Sequence, residues 1–259
     1  MKKQKIIKAI VWVFILGFVV GIISLLQRQR DAMLCDTFMI NVSSKNSPTF
    51  LTKKDVSEIL DARDIVPGTK KVGDLNLDEI ESVLCQNPLI HNAEVSLSFL
   101  GELKIHVIEK QPIAQVFSLH DDSYFICDDN SLMPFYLGGN SRVPIVNGYI
   151  QTTYKKNLGL IFQDTLLKEL VPILTLVKEI QKSSLLQAQI EQLYIKKNRE
   201  IQLIPKVGNH IVEFGTPENY KRKLENLEVF YSKGISQVGW NKYRTISLKF
   251  DNQVVCTKN

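Results

Sequence analysis

The sequence predicts an α+β protein hung on one N-terminal membrane-spanning helix. Three observations carry this. Ala9 to Leu26 (AIVWVFILGFVVGIISLL) is uncharged. The stretch from about residue 37 to 110 orders as strand, helix, helix, strand, strand. Beyond Pro112, short β runs with helices between them predict a mostly antiparallel β domain with packed helices. The expected plan is a tail at 1–8, a span at 9–26, a polar linker at 27–36, a first folded unit at 37–110 and a β domain at 111–259.

The first element is the span. Eighteen residues at about 1.5 Å each give roughly 27 Å of helix, enough to cross a hydrocarbon core. Lys2, Lys3, Lys5 and Lys8 precede it, and Arg28, Arg30 and Asp31 follow. The more cationic N-terminal side places the N-terminus in the cytoplasm. A cleaved signal peptide would have a shorter core and a small-residue cleavage site, which Ser24 to Arg28 lacks. Gly17 and Gly21 form a small-xxx-small pair of a kind that packs against other helices. The net charge is +5, of which the four leading lysines account for all but +1. The folded part is near neutral, which argues against a broad nucleic-acid footprint.

In the first folded unit, Thr37–Val42 alternates as a strand, and Asn46-Ser47-Pro48 breaks it. Thr52 is a natural helix N-cap with Asp55 three residues on, ahead of the stripe Val56, Ile59 and Leu60. Leu77, Ile80, Val83 and Leu84 share one face of a second helix from about Asn76 to Gln86, which Asn87-Pro88 stops. Ala93, Val95, Leu97 and Phe99 form the apolar face of a strand, Leu100-Gly101-Glu102 a turn, and Leu103, Ile105 and Val107 the next strand.

In the β domain, Ala114–Leu119 and Ser123–Cys127 read as strands, with a turn at Asp128 to Ser131 in which Asn130 tolerates positive φ. Pro144 to Gly148 closes a section. Thr165–Gln181 is a helix that Pro172 kinks or starts late. Strands follow at Gln192–Lys196, Glu200–Ile204 and His210–Phe214, then a helix at Pro217–Tyr231 with proline in its first turn. The closing strand is Tyr243–Phe250, and Gln253–Thr257 continues as a bulge or a tight hairpin.

Catalytic chemistry has little to stand on. His91, His106, His120 and His210 form no metal-spaced pair. His106 falls on the polar face of a strand. Cys35, Cys85, Cys127 and Cys256 include no Cys-x-x-Cys pair, and four separate buried thiols are favoured over disulfides. Cys127 with His120, or Asp121-Asp122 with Asp128-Asp129, would be needed for a membrane-anchored hydrolase. The aspartates flank a hairpin, where they commonly form turns. No glycine-rich phosphate loop, metal set or cofactor motif is present.

The sharper candidate is a surface. Tyr243, Arg244, Thr245, Ile246, Ser247, Leu248, Lys249 and Phe250 form a strand near the end of the sequence given, and terminal strands are often edges open to an incoming strand. The alternatives are a strand paired on both sides and an edge guarded by Lys249.

Several segments in order resemble the FtsQ/DivIB family of bacterial cell-division proteins. They are Phe50 to Val56, Asn87 to Val95, and Leu103 to Ala114 with its Val107-x-Glu109-x-x-Pro112 core. Tyr124 to Pro134, Val143 to Gly148, Lys223 to Leu227 and Tyr243 to Val255 follow. Cys127 and Asn130 stand where the family commonly has aspartate and glycine. Ser247 and Lys249 stand where aspartate and arginine are common. The resemblance implies a POTRA domain (β-α-α-β-β) beside the membrane, a β domain beyond it and no enzymatic activity or cofactor. It also implies FtsB-like and FtsL-like bitopic partners, with the terminal strand extended by a strand from FtsB. It places the bulk of the chain in the periplasm at the septum, helping to recruit or regulate septal peptidoglycan synthesis. A recruitment surface would fall near Ile90, Asn92 and Glu94. The alternative for a POTRA-bearing chain is a factor in protein transport or envelope assembly.

Overall fold

The computed structural model describes the chain apart from residues 1, 45–48, 137–141, 156–159, 251–252 and 259, and apart from the side chains of 2–11 and 236. The Asn46 to Pro48 break and the turn at Asp251-Asn252 therefore lie outside the described residues. The rest divides into two units, residues 1–43 with 51–109, and residues 44–50 with 110–259.

The first unit opens with α1 (Lys2–Ala32), of which Trp12–Ala32 is long and apolar enough to cross a membrane. The helix runs on through residues 27–32, which were expected to be linker. Glutamine, arginine and alanine are good helix formers, and nothing there breaks the ladder. Beyond it stand β1 (Phe38–Ser43), α2 (Lys53–Asp61), α3 (Leu77–Cys85), β2 (Ile90–Leu97) and β3 (Leu103–Glu109). The sheet order is β1-β3-β2, with β1 parallel and β2 antiparallel to β3.

The local chemistry explains these elements. The Thr52 hydroxyl accepts from the Asp55 N–H at 3.2 Å, and the Asp55 carboxylate accepts from the Thr52 N–H at 2.6 Å. This reciprocal pair is a capping box, and it holds the Asp55 carboxyl below its ordinary range. Asn76 caps α3 the same way on one side, accepting from the Glu79 N–H. Val56, Leu60 and Leu84 are fully buried, each stabilising the unit by roughly 1.5–3 kcal/mol. Glu109, in the Val-x-Glu motif, is also buried, and its carboxylate accepts the Leu51 N–H at 2.5 Å. A buried carboxylate thus tethers the chain just before the α2 cap.

One expectation fails here. Phe99 does not belong to the buried face of its strand, because β2 ends at Leu97 and Phe99 is 83% exposed.

The second unit is one nine-stranded sheet with helices against it. Its strands are β4 (Pro112–Phe117), β5 (Ser123–Cys127), β6 (Leu132–Pro134), β7 (Ile145–Gly148), β8 (Ile190–Ile195), β9 (Ile201–Pro205), β10 (Ile211–Gly215), β11 (Tyr243–Ser247) and β12 (Val255–Lys258). The order is β12-β11-β10-β9-β8-β7-β4-β5-β6. Pairs β4–β7, β7–β8 and β10–β11 are parallel and the other five antiparallel. Pro144 to Gly148, read only as a break, is the strand β7 that joins the two halves of the sheet. The helices are α4 (Val171–Ile180), α5 (Ser184–Gln189), α6 (Tyr220–Val229) and the single turn α7 (Ser236–Val238). Leu174, Val177, Leu186, Leu224 and Leu227 from the first three share one core with Val116, Leu193, Leu203, Val212 and Ile246 of the sheet.

One helix start decides between two alternatives, and another differs from expectation. Pro172 marks a late start: Thr165–Leu170 is a 3₁₀ segment, and the α-helix opens at Val171 with proline in its first turn. Pro217 lies outside α6, which begins at Tyr220 after Asn219 in the left-handed region (φ 54°).

Candidate functional site, the closing edge of the sheet

The closing hairpin is built from the inside outward. After α6 the chain makes a π-helical turn, Phe230–Ile235, then α7, then Gly239 at φ +87°. This crossover lets β11 lie parallel to β10, pairing Ile211 with Thr245 and Glu213 with Ser247. Buried His210 anchors the crossover. Its Nε2 lies 3.1 Å from the Tyr231 hydroxyl, and its ring stacks on Trp240 at 6.3 Å. Burial lowers the His210 pKa and keeps the imidazole neutral.

The expected edge is not the edge. β11 is paired on both sides, because β12 returns antiparallel along it, matching Ser247 with Val255, Ile246 with Cys256 and Thr245 with Thr257. The bulge-or-hairpin alternative resolves as a hairpin. Ile246 and Leu248 are buried, and Tyr243, Val254 and Cys256 pack on the same core. Leu248 donates its N–H to the Glu213 carbonyl at 2.9 Å. Arg244, Lys249 and Phe250 are exposed, while Thr245 and Ser247 are half-buried. Tyr243–Phe250 is therefore an interior strand and its exit. Pattern alone left this open because β12 is only four residues long.

Lys249 has a different job from guarding an edge. Its ammonium meets the Glu200 carboxylate at 2.7 Å and Glu213 at 3.9 Å, while Lys196 meets Glu213 at 2.8 Å. Gln202 also donates to Glu213, at 2.7 Å. The network ties β8, β9, β10 and the exit of β11 together on the polar face. Both glutamates stay ionised below the ordinary range. For Glu200 the Lys249 hydrogen bond leads; for Glu213, burial works against ionisation but the Lys196 and Gln202 hydrogen bonds outweigh it.

The sheet thus ends on β12 at one side and β6 at the other. β6 has three residues and closes on Pro134, which blunts it as a pairing edge. β12 carries Val255, Thr257 and Lys258 exposed and has one sheet neighbour. Among the described strands it is the edge best suited to an incoming strand.

The recruitment residues divide. Ile90 is buried in the core of the first unit, since it begins β2 where the strand passes under α3. Asn92 and Glu94 are exposed on β2, an edge strand. That edge is partly closed, because the Glu81 carboxylate accepts the Val95 N–H at 2.7 Å.

The hydrolase pairs do not assemble. His120 lies in the turn before β5 and Cys127 at its far end, roughly 17 Å away at the rise of a five-residue strand. Cys127 is fully buried, and burial, with Asp129 adding to it, pushes its thiol pKa up, away from thiolate reactivity. Asp122 accepts the Tyr154 N–H at 2.6 Å, and Asp129 accepts from the Ser131 N–H and hydroxyl. The Lys178 ammonium bonds the Asp128 carbonyl and the Asn130 side chain. Asn130 adopts φ 68°, the left-handed form expected of it. The four cysteines are free thiols, but only Cys35 and Cys127 are buried; Cys85 is exposed on its helix and Cys256 is half-buried. His106 lies 3.3 Å from Asn41 and 3.4 Å from Ser43 across the sheet.

A cleft of about 160 Å³ holds Glu169 and Arg199 over Ile150, Ile173 and Ile201. Glu169 accepts from the Gln151 and Thr152 N–H groups, the Thr152 hydroxyl and the Arg199 guanidinium, all within 2.9 Å. Burial opposes its ionisation, but these bonds hold the carboxyl below its ordinary range. It serves as a lock on the loop after β7, a role that sequence reasoning missed because its partners are scattered backbone groups.

The architecture defines a class: a single apolar N-terminal helix, a small β-α-α-β-β unit and a mixed sheet with a presented edge. Residues 33–108 match the POTRA-like domain profile, which agrees with the first unit. Residues 111–257, more than half of the chain, match the profile described as FtsQ/DivIB, C-terminal related, and the chain belongs to the FtsQ/DivIB family of cell-division proteins. No curated protein sequence matches it. Its family is one of non-enzymatic divisome components that work through protein partners, and α1 fits a single-pass membrane protein.

Proposed function

We propose that this protein is a bitopic divisome scaffold that takes a strand from a small FtsB-like partner along the free side of β12. FtsL-type proteins join the same assembly. The N-terminus is cytoplasmic and the two folded units stand in the periplasm at the septum, where the assembly helps to recruit or regulate septal peptidoglycan synthesis. The observation that supports this reading most is the position of β12, exposed at the end of the nine-stranded sheet. Backbone pairing supplies affinity at such an edge, and the exposed Val255 and Thr257 side chains supply selectivity.

This moves the contact outward by one strand from Tyr243–Phe250. A proline at buried Leu248 would now break a bond to β10 rather than a partner contact. The better probes are Cys256→Pro and Thr257→Pro. Successive residues direct their backbone groups to opposite sides, so one of the two removes an outward donor while sparing the β11 ladder. That variant is expected to weaken capture of the FtsB-like partner about tenfold with the chain still folded. Undiminished capture by both variants overturns the reading. Depletion in cells is expected to give filaments with unfinished septa; normal division with envelope defects overturns the divisome role.

A further inference from the structure

We infer that the β2–β3 hairpin tip of the POTRA-like unit, Phe99-Leu100, inserts into the lipid interface beside the exit of α1. These are two of the most exposed apolar side chains in the folded part, at 83% and 78%. Two adjacent bulky apolar residues at a turn have a cost in water unless something covers them. The turn is firmly built. The Ser98 N–H donates to the Glu102 carbonyl at 2.8 Å, the Gly101 N–H to the Ser98 carbonyl at 3.1 Å, and the Glu102 N–H to the Ser98 hydroxyl at 3.1 Å. Gly101 takes φ +84°, which turns the chain back into β3. The tip is therefore held outward by its own hydrogen bonds.

Its position names the occupant. A side chain on Gly101 would lie 3.2 Å from Val72. Val72 in turn donates its N–H to the Met33 carbonyl at 2.9 Å, and the Cys35 N–H donates to Lys70 at 3.0 Å. Neighbouring Gly73 lies so close to α1 that a Cβ would stand 2.9 Å from Asp31. The hairpin tip is thus built onto the turn by which the helix leaves the membrane. The end of α1 at Ala32 is roughly 9 Å of helix beyond Leu26, comparable with the roughly 5–8 Å of headgroup layer on each side. Met33 and Leu34, at 53% and 51% exposure, extend the same apolar fringe. Arg30 pairs with Asp31 at 3.3 Å, and in the adjoining sequence Lys70 and Lys71 are matched in number by Asp36 and Asp74. Insertion therefore rests on apolar contact and is expected to be insensitive to salt. The consequence is a POTRA-like unit fixed in orientation on the bilayer by two points instead of one.

The test uses the full chain in phospholipid vesicles and a Phe99→Trp variant, with wild type subtracted. The difference emission of the added tryptophan is expected to be blue-shifted. It should be quenched about twofold or more by lipids brominated near the carbonyl end of the acyl chain, and little by aqueous iodide. Leu100→Trp should behave alike. Quenching by iodide with none by brominated lipid overturns the inference. Quenching by neither overturns it too, since the tip is then covered by protein. Native Trp12, within α1, reports the span itself. If brominated lipid fails to quench Trp12, the membrane reading of the helix fails, an outcome distinct from failure of the tip alone.

Discussion

Gly148→Ala should split the large sheet at its seam. Gly148 ends β7 at φ +101°, paired with Ile195 of β8. A Cβ there would lie 2.2 Å from the Ile195 carbonyl oxygen and 2.8 Å from its nitrogen. Ordinary contact needs roughly 3.5 Å, so the strands must part by about 1 Å. That displacement breaks the Tyr149 N–H bond to the same oxygen, now 2.7 Å long. Three costs combine. Forcing alanine to this φ costs about 1–3 kcal/mol. Overpacking adds about 1–3 kcal/mol, and a lost backbone bond about 0.5–1.5 kcal/mol. The total, roughly 2.5–7.5 kcal/mol, is comparable with the whole stability of a domain. The assay is guanidinium unfolding of the full chain in detergent, followed through Trp240 in the second unit. Gly239→Ala is the control: it shares the positive φ, at +87°, but meets nothing within 4 Å. It carries the backbone strain without the clash. If the two variants have equal midpoints, the steric argument is refuted.

Further outcomes are expected. Because burial lowers the His210 pKa below its ordinary 6.5, the unfolded chain takes up a proton that the folded state refuses. The stabilisation is complete above pH 6.5 and is lost as pH falls below it; His210→Phe should flatten the fall of the unfolding midpoint on the acid side of pH 6.5. Glu169→Gln keeps the shape but loses four charge-assisted bonds, and should lower stability by about 1.5–3 kcal/mol in the same denaturation assay. Lys249→Ala opens a partly exposed network and should cost no more than about 1 kcal/mol. Capture of the FtsB-like partner should survive that change; a tenfold loss would place Lys249 in the interface.

Much of this protein is local in origin, and that part was legible. The uncharged run Ala9–Leu26 needs no tertiary context to be read as a membrane helix. Thr52 with Asp55 and the Val56 and Leu60 stripe follow from capping and periodicity, and the strand β5 from a short apolar run, all of which act over a few residues. Asn130 and the Asp128 to Ser131 turn belong to the same class.

What the sequence could not decide was which strand has a neighbour. A strand's side-chain pattern records which face is buried, not whether its backbone edge is paired. Ile246 and Leu248 alternate as they would at an edge or inside a sheet, and only the return of β12 makes β11 an interior strand. Phe99 keeps the alternation of β2 but lies past its last ladder pair, where the turn carries it into the open. Glu169 and Glu109 show no motif of their own spacing as locks, since their partners are backbone N–H groups brought from distant segments. The apolar N-terminal helix and most of the element types were determined by local sequence. The presented edge and the exposed tip were decided by tertiary pairing, because pairing depends on hydrogen-bond partners far apart in the chain.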